Sequence, residues 1–160
     1  MDKKIPDVIY KLHNLFKKKG LTLSVAESCT GGLISHYITS LPGASNFFEA
    51  GVVSYSVEAK KRILAISPET IAKYGVVSVE TAKEMAERIR ILTGTDFSLS
   101  TTGNLGPDVL EGKKKGLIYI AVSGKGKTFF KELRLKGGRE ENKEEASLIA
   151  LRFLIEIAGE

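Results

Sequence analysis

The stretch LTLSVAESCTGGLI, residues 21–34, carries the pattern that decides the fold. Its first six residues alternate apolar and small polar side chains, which is typical of a β-strand. Apolar residues at helical spacing then continue as far as Pro42, so we expect a helix that begins at Thr30 or Gly31. The polar run ESCT therefore lies where a strand ends and a helix begins, a position that suits either a tight turn or chemistry.

The rest of the chain alternates predicted strands with predicted helices. Two apolar runs around a GKGK turn predict an antiparallel hairpin within residues 117–135. Ser67 and Ser78 are predicted N-caps, because each precedes an amphipathic segment. The other expected strands are 21–26, 48–55 and 97–102, and the expected helices are 6–19, 30–42, 58–66, 68–75, 79–93 and 141–158.

Strands that alternate with helices and end in one hairpin indicate an α/β fold. We predict a three-layer α/β/α sandwich on a five-stranded, mostly parallel mixed sheet with one antiparallel strand. The ordinary composition, 42% hydrophobic and 27% charged, favours one domain over residues 1–160. Ligands of such sheets bind beyond the carboxyl ends of the strands. We therefore expect the loops after Ala26, Tyr55 and Thr102 to meet.

Composition also limits the compartment and the partners. Cys29 is the only cysteine, which excludes an intrachain disulfide and fits a reducing compartment. No stretch resembles a signal peptide or approaches the ~20 apolar residues of a membrane span, so we expect a cytoplasmic protein without a membrane partner. The net charge of +5 is concentrated in residues 1–20 and 111–140. The runs of consecutive lysines in these regions contain no interleaved aromatic residue, so we predict a solvated surface and no nucleic-acid partner.

Ser28 has two interpretations at the predicted junction of strand and helix. As an N-cap, its hydroxyl would accept a hydrogen bond from an amide of the first turn. As a nucleophile, it would use unpaired amides near Thr30 and Gly31 to stabilise an oxyanion on an attacked carbonyl group. A serine nucleophile needs a base, and neither His13 nor His36 is placed to supply one.

A lysine can replace histidine as the base of a serine nucleophile. Lys60 follows the predicted end of the second strand by five residues and can reach the same edge of the sheet, although it could equally be a solvent-facing cation. As a base it would need a pKa lowered from about 10.4 to roughly 7–8. Cys29 is the alternative nucleophile, but no histidine is placed to pair with it, and a packing role is its other interpretation.

The glycine-rich loop TTGNLGPD, residues 101–108, follows the third strand. Its amides could cradle a phosphate, or it could be an ordinary tight turn, and it matches neither the P-loop nor the dinucleotide-binding pattern. Arg139 could contribute a guanidinium to such a phosphate, or simply begin the last helix. The sequence has no HExxH, CxxC or paired-carboxylate spacing, so we predict neither a metal nor a cofactor.

Taken together, these segments resemble the CinA carboxy-terminal domain family, whose stand-alone members are PncC-type nicotinamide-nucleotide amidases. The resemblance covers nearly the whole chain. The segments that carry it are AESCTGG at 26–32, LPGAS…F…GVVSYS…EAK…L at 41–64, YGVVS at 74–78, TTGNLGP at 101–107, GLIYIAV at 116–122 and GGRE at 137–140.

The resemblance implies an α/β/α fold with a five-stranded mixed sheet. It also implies hydrolysis of the carboxamide of nicotinamide mononucleotide to nicotinic acid mononucleotide and ammonia, with Ser28 as the nucleophile and Lys60 as its base. The residues that it places near the substrate are Tyr55, Thr102, Gly103, Gly106 and Arg139. We therefore expect a small pyridine nucleotide as the substrate, and we also expect a homo-oligomer.

Four residues depart from the family's pattern and bear on the choice of substrate. Val57 stands where asparagine is usual, Asn104 and Leu105 replace a common Ile-Ala pair, and Gly138 replaces an aspartate. The departures leave the expected nucleophile and base untouched. Two other functions stay open: a nucleotide-binding module without turnover, and an interaction or nucleic-acid-binding domain that uses its lysine clusters.

Overall fold

A five-stranded mixed sheet organises residues 4–160, the part of the chain that the computed structural model describes. The strands are β1 Leu23–Glu27, β2 Phe48–Val53, β3 Phe97–Gly103, β4 Leu117–Gly124 and β5 Lys127–Arg134. The α-helices are α1 Lys4–Lys19, α2 Leu33–Thr39, α3 Val57–Leu64, α4 Pro68–Tyr74, α5 Val79–Thr93 and α6 Arg139–Gly159, and one turn of 3-10 helix, Ala44–Asn46, precedes β2.

The order of the strands across the sheet is β2-β1-β3-β4-β5. Strand β1 pairs in parallel with β2 and with β3, whereas β4 is antiparallel to both β3 and β5. Four strands therefore run in one direction and β4 runs against them, which confirms the predicted mixed sheet. Glu27 at the end of β1 is in register with Val53 and Thr101, so the carboxyl ends of three strands share one edge.

Helices cover both faces of the sheet and complete the three-layer sandwich. Helices α1, α2 and α6 pack against the face of the sheet that carries Leu23 and Val25, and together they form the larger core. Helices α3, α4 and α5 pack against the opposite face, which carries Ala26, and form a smaller core. Two serines of β3 allow α5 to approach closely, because Ser98 and Ser100 donate hydrogen bonds to carbonyl groups of that helix. Successive residues of a strand point to opposite faces, so they contribute to two separate apolar layers.

Helix α2 begins at Leu33, later than predicted. Gly31 and Gly32 adopt the left-handed conformation, with φ of +59° and +102°, which is costly for other residues and interrupts the helical path. Helix α6 begins at Arg139, two residues earlier than predicted. Strand β2 ends at Val53, because the residues after it turn toward α3.

The predicted N-caps differ in their contacts. The Ser78 hydroxyl accepts a hydrogen bond from the amide of Thr81, as a cap should. Ser67 lies directly before α4, but its hydroxyl donates to the carboxylate of Glu69 and caps no amide.

Two general features of the described residues bear on location and on metals. No helix within residues 4–160 is both long and apolar enough to cross a membrane. Across the same residues, no three His, Cys, Asp or Glu side chains come together as a group that could hold a metal ion. The expectation that no metal takes part stays a prediction.

Candidate active site

Ser28 and Lys60 meet at the carboxyl edge of the sheet. Ser28 directly follows β1, where its amide donates a 3.0 Å hydrogen bond to the carbonyl of Thr101 on β3. Lys60 lies in α3, the helix that follows β2, and its Nζ is 2.8 Å from Ser28 Oγ. Because β2 is next to β1, the sheet brings together two side chains that are 32 residues apart in the chain.

Lys60 is buried among neutral oxygen atoms. Only 1% of the residue is exposed, and its Nζ donates to the carbonyl groups of Ser54, at 2.8 Å, and Tyr55, at 3.1 Å. Burial lowers the pKa of Lys60 to about 8, against smaller opposing effects of Cys29 and Glu111. When the amine is neutral, the two carbonyls can hold its two hydrogens and leave the lone pair to accept the proton of Ser28.

Cys29 is a buried neighbour of the nucleophile and packs against Leu105, Ile118 and Ala146. Burial raises the pKa of its thiol to about 12, so the sulfur stays protonated at neutral pH. A thiol is a far weaker nucleophile than a thiolate. These contacts favour the packing interpretation of Cys29, even though the residue borders the cavity beside Ser28.

Glu27 fixes the turn that carries the nucleophile. Its fully buried carboxylate accepts hydrogen bonds from the amides of Ile34 and Ser35, at 2.9 and 3.0 Å, and from the hydroxyls of Thr30 and Ser35, at 2.6 and 2.7 Å. Gly32, at the N-cap position of α2, has no side chain to cap the helix, so Glu27 supplies the missing acceptors. The sequence alone does not predict this role of Glu27, because Ile34 and Ser35 lie on the far side of the two glycines.

Thr30 and Gly31 lie within the turn and do not line the cavity. The Thr30 hydroxyl donates to Glu27 and contacts the Thr101 hydroxyl at 2.8 Å, and the Gly31 amide donates to the carbonyl of Ser28 at 3.0 Å. The amides of Cys29 and Thr30 have no backbone acceptor within residues 4–160. Of these two residues only Cys29 borders the cavity, so its amide is the one that we assign to an oxyanion.

A cavity of about 500 Å³ opens beside Ser28 and Lys60. The loops after β1, β2 and β3 all contribute to its wall, together with the first residue of α6. The residues predicted to lie near a substrate all border it: Tyr55, Thr102, Gly103, Gly106 and Arg139. The structure thus brings seven of the nine predicted site residues to one cavity and leaves Thr30 and Gly31 behind it.

Arg139 bridges two walls of this cavity. Its guanidinium donates to the carbonyl of Gly106 at 2.6 Å and to the hydroxyl of Tyr55 at 2.8 Å. The Tyr55 side chain is otherwise open to solvent, with 57% of the residue exposed. The Thr102 hydroxyl donates to the carbonyl of Val76 at 2.7 Å, so this side chain holds the wall in place.

At positions 103 and 106, glycine is required by the path of the backbone and not by contact with a substrate. A Cβ atom added to Gly103 would lie 2.7 Å from the backbone of Ile118, so the pairing of β3 with β4 requires glycine there. Gly106 has a φ of +92°, in the left-handed region that other residues rarely adopt. Glycine at both positions therefore allows the loop to follow the path that forms this wall of the cavity.

Comparison with known proteins identifies the family. A family model described as the CinA C-terminal domain matches residues 7–158. This chain belongs to the CinA C-terminal domain family. A CinA-like protein of Kosmotoga olearia is 45% identical over 142 residues, which are 88% of this chain and 34% of the relative. A CinA-like protein of Dictyoglomus thermophilum is also 45% identical over 142 residues, with the same two shares. The chain spans about a third of the length of the curated relatives that it matches.

Solved structures of CinA proteins share the fold. The competence/damage inducible protein CihA of Agrobacterium tumefaciens superposes with a TM-score of 0.95 at 31% identity, over 100% of this chain and 98% of that chain. A CinA superfamily protein of Enterobacter cloacae has a TM-score of 0.93 at 34% identity, over 96% of this chain and 92% of that chain. These two CinA proteins therefore share the α/β/α sandwich of this chain.

The four departures from the CinA pattern lie in a loop and at helix ends. Asn104 is buried, where its side chain accepts from the amide of Gly106 at 3.2 Å, and Leu105 packs against Cys29. Val57 is the first residue of α3, and Gly138 offers no side-chain cap to α6. These residues shape the surroundings of the cavity and leave the contact between Ser28 and Lys60 in place.

Proposed function

We propose that this CinA domain is an amidohydrolase that cleaves the carboxamide of nicotinamide mononucleotide, with Ser28 as the nucleophile and Lys60 as the base. One observation carries the proposal: a buried lysine lies 2.8 Å from the hydroxyl of a serine at the edge of a cavity. A lysine that served only packing or an ion pair would not need this environment. The hydrogen-bond partners of Lys60 are all neutral, which favours an amine that can lose its proton.

The first half of the reaction forms an acyl-enzyme. Neutral Lys60 accepts the proton of the Ser28 hydroxyl while Oγ attacks the carboxamide carbon, and the carbonyl oxygen becomes an oxyanion. In this proposal the amide of Cys29, directly after the nucleophile, donates to this oxyanion. When the tetrahedral intermediate collapses, the C–N bond breaks and the Lys60 ammonium gives its proton to the departing amine, which leaves as ammonia.

The second half returns the enzyme to its starting state. Lys60, neutral again, takes a proton from a water molecule that attacks the ester carbon of the acyl-enzyme. Collapse of this second intermediate breaks the bond to Ser28 Oγ, which recovers its proton from Lys60. The product leaves as a carboxylic acid, and one water molecule is consumed for each ammonia released.

The cavity is compatible with a mononucleotide. Its volume of about 500 Å³ falls within the range of roughly 300–1,000 Å³ that is usual for small-molecule sites. Arg139 offers a guanidinium, which suits a phosphate, and the ring of Tyr55 is exposed beside it. The choice of nicotinamide mononucleotide itself comes from the resemblance to the nicotinamide-nucleotide amidases.

An ammonia-release assay on nicotinamide mononucleotide tests the proposal. We expect Ser28→Ala and Lys60→Met to lower kcat by roughly 10³-fold or more, because each removes a partner of the dyad. The matched control is Cys29→Ala, which alters the neighbouring side chain and spares the dyad. If both dyad variants kept most of the activity, the assignment of nucleophile and base would be wrong.

A nucleotide-binding module without turnover is the second candidate. The observation that favours it is the altered wall, in which buried Asn104 and Leu105 replace the common Ile-Ala pair. Nicotinamide mononucleotide that binds to the wild-type chain without release of ammonia would support this candidate and refute the amidase.

A further inference from the structure

The loop between β3 and β4 folds into a small hairpin at the mouth of the cavity. Leu110 and Lys113 form an isolated antiparallel bridge. Glu111 and Gly112 connect them with φ of +55° and +67°, the left-handed pair that two-residue hairpin turns prefer. Because Leu110 lines the cavity, the position of this hairpin decides part of the cavity's shape.

Glu111, at the tip of the hairpin, binds the turn between α4 and α5. Its two carboxylate oxygens accept hydrogen bonds from the amides of Val76, at 2.9 Å, and Val77, at 3.0 Å. Glycine at position 75 leaves room for this contact, because an added Cβ would lie 2.5 Å from the carboxylate. The turn leads directly into α5, whose N-terminal dipole favours a negative charge.

The carboxylate stays charged at neutral pH. Partial burial would raise the pKa of Glu111, but the amides of Val77 and Val76 and the ammonium of Lys113 outweigh it and lower the pKa. Hydrogen bonds from backbone amides to a charged oxygen are stronger than those to a neutral one. Glu111 is therefore a firm attachment point for the hairpin.

Lys113 binds the backbone carbonyl groups of the same turn. Its Nζ donates to the carbonyl of Tyr74 at 2.8 Å and to that of Val77 at 2.5 Å, and it lies 3.5 Å from Glu111. An exposed ion pair alone would contribute little to stability. Here both charged groups also bind the backbone of residues 74–77, so they fix one segment of the chain to another.

We propose that Glu111 and Lys113 are positioning residues that latch the hairpin onto the turn of residues 74–77 and hold the cavity in its substrate-binding shape. Val76 lines the cavity from the turn and Leu110 lines it from the hairpin, so the latch joins two walls of the same site. The substrate named in the tests below rests on the proposed function. The latch itself rests on contacts that involve neither Ser28 nor Lys60.

An open hairpin lowers the fraction of molecules that can bind substrate. The apparent dissociation constant rises in proportion as that fraction falls. Once the substrate is bound, the contact between Ser28 and Lys60 is the same as in the wild type. Loss of the latch therefore raises KM. Because the charge of Glu111 also raises the pKa of Lys60, kcat stays nearly unchanged only above about pH 9, where Lys60 is neutral in either case.

Two measurements test the latch without any use of activity. In Glu111→Ala, we expect hydrogen exchange of the Val76 and Val77 amides to become about tenfold faster, since two charge-assisted hydrogen bonds are lost. We also expect a small thiol reagent to label Cys29 several-fold faster. Cys29 is the only cysteine and borders the cavity with 6% of its surface exposed, so its labelling rate reports the opening of the cavity.

Lys113→Met is the second latch variant, and Lys114→Ala is the matched control. Lys114 is an exposed neighbour in the same loop whose side chain forms no hydrogen bond or ion pair with the described part of the chain. We expect Lys113→Met to accelerate labelling and Lys114→Ala to leave it unchanged. Thermal unfolding of each variant separates local opening from a general loss of stability.

Kinetics with nicotinamide mononucleotide complete the test. We expect KM to rise about tenfold in Glu111→Ala when rates are measured above about pH 9, where Lys60 is neutral in both proteins, with kcat within about twofold of the wild type. Exchange and labelling rates in both latch variants that equal those of Lys114→Ala would overturn the latch, and so would faster rates with an unchanged KM. A wild-type chain without amidase activity would refute the proposed function instead, and exchange and labelling alone would then decide the latch.

Discussion

At the scale of single residues, the environment of one amine decides what the candidate site can do. Lys60 has no carboxylate among its hydrogen-bond partners, and its burial lowers its pKa to about 8. That value lies at the upper end of the range that a lysine base needs near neutral pH. At pH 7, roughly a tenth of the amine is neutral and able to accept a proton from Ser28.

The first prediction concerns the pH dependence of the proposed activity. Because the neutral amine is the active form, kcat/KM should rise about tenfold per pH unit below pH 8 and level off above about pH 9. Lys60→Arg should be inactive throughout, because its guanidinium does not lose its proton. Initial rates of ammonia release from about pH 6 to 10 measure the profile, and a flat profile across this range would contradict a lysine base.

The second prediction separates the two nucleophilic side chains of the turn. Cys29→Ala should keep kcat within about threefold of the wild type, because a thiol with a pKa of about 12 is protonated and packs against apolar residues. The variant should lose about 1 kcal/mol of stability through the small cavity that it leaves. Parallel assays of Ser28→Ala provide the reference, and an inactive Cys29→Ala that is still folded would point to the sulfur.

At the scale of elements, Glu27 joins the end of β1 to the start of α2. Sequence patterns placed the strand correctly but began the helix too early, because glycines are compatible with a helix as well as with a turn. The Glu27 carboxylate determines where the helix begins, because it accepts hydrogen bonds from the amides of Ile34 and Ser35 across both glycines. Helix propensities are local and do not include an acceptor that lies beyond the turn.

The third prediction follows from that carboxylate. Glu27→Gln keeps the size of the side chain but replaces one acceptor oxygen with an NH₂ group, which would face a donor. We expect the free energy of unfolding to fall by about 2–3 kcal/mol, the cost of weakened hydrogen bonds to a charged group in the interior. Urea denaturation measures the change, with Ser35→Ala as the milder control. A loss equal to that of Ser35→Ala would mean that the charge itself is unimportant.

At the scale of the whole molecule, the packing of α1 on α2 depends on a histidine. His13 is buried in α1 with its ring against Phe47, and its Nε2 lies 2.8 Å from the carbonyl of Ile38 in α2. A carbonyl only accepts, so Nε2 carries the proton, and Nδ1 has no partner among residues 4–160. Burial lowers the pKa of His13, assisted by Lys17 and opposed by the Ile38 carbonyl.

The fourth prediction is a loss of stability in mild acid. The folded state resists protonation of His13, whereas the unfolded chain binds a proton near pH 6.5, so the stabilisation is complete above that pH and declines as the pH falls below it. Urea denaturation at about pH 7 and about pH 5 should show a larger loss for the wild type than for His13→Gln, which keeps an N–H donor but does not titrate. Equal losses for both proteins would exclude His13 as the cause.

The sequence predicts the sheet and the meeting of Ser28 with Lys60 for one reason: the ends of adjacent parallel strands share an edge. It does not predict the latch. Glu111 and Lys113 bind residues that lie 34 to 39 positions away in the chain, and nothing in the local sequence KKKG marks one lysine as different from its neighbours. Such partners become visible only when the tertiary structure brings the two segments together.

The strand order also has a consequence for how the domain can change. Ser28 and Lys60 come from the β1 and β2 side of the edge, whereas the loop after β3 supplies a separate wall of the cavity. The proposed nucleophile and base thus come from the first half of the chain, whereas this wall comes from the second half. Substitutions within residues 104–116 can therefore change the shape of the cavity without any change to the elements that carry Ser28 and Lys60.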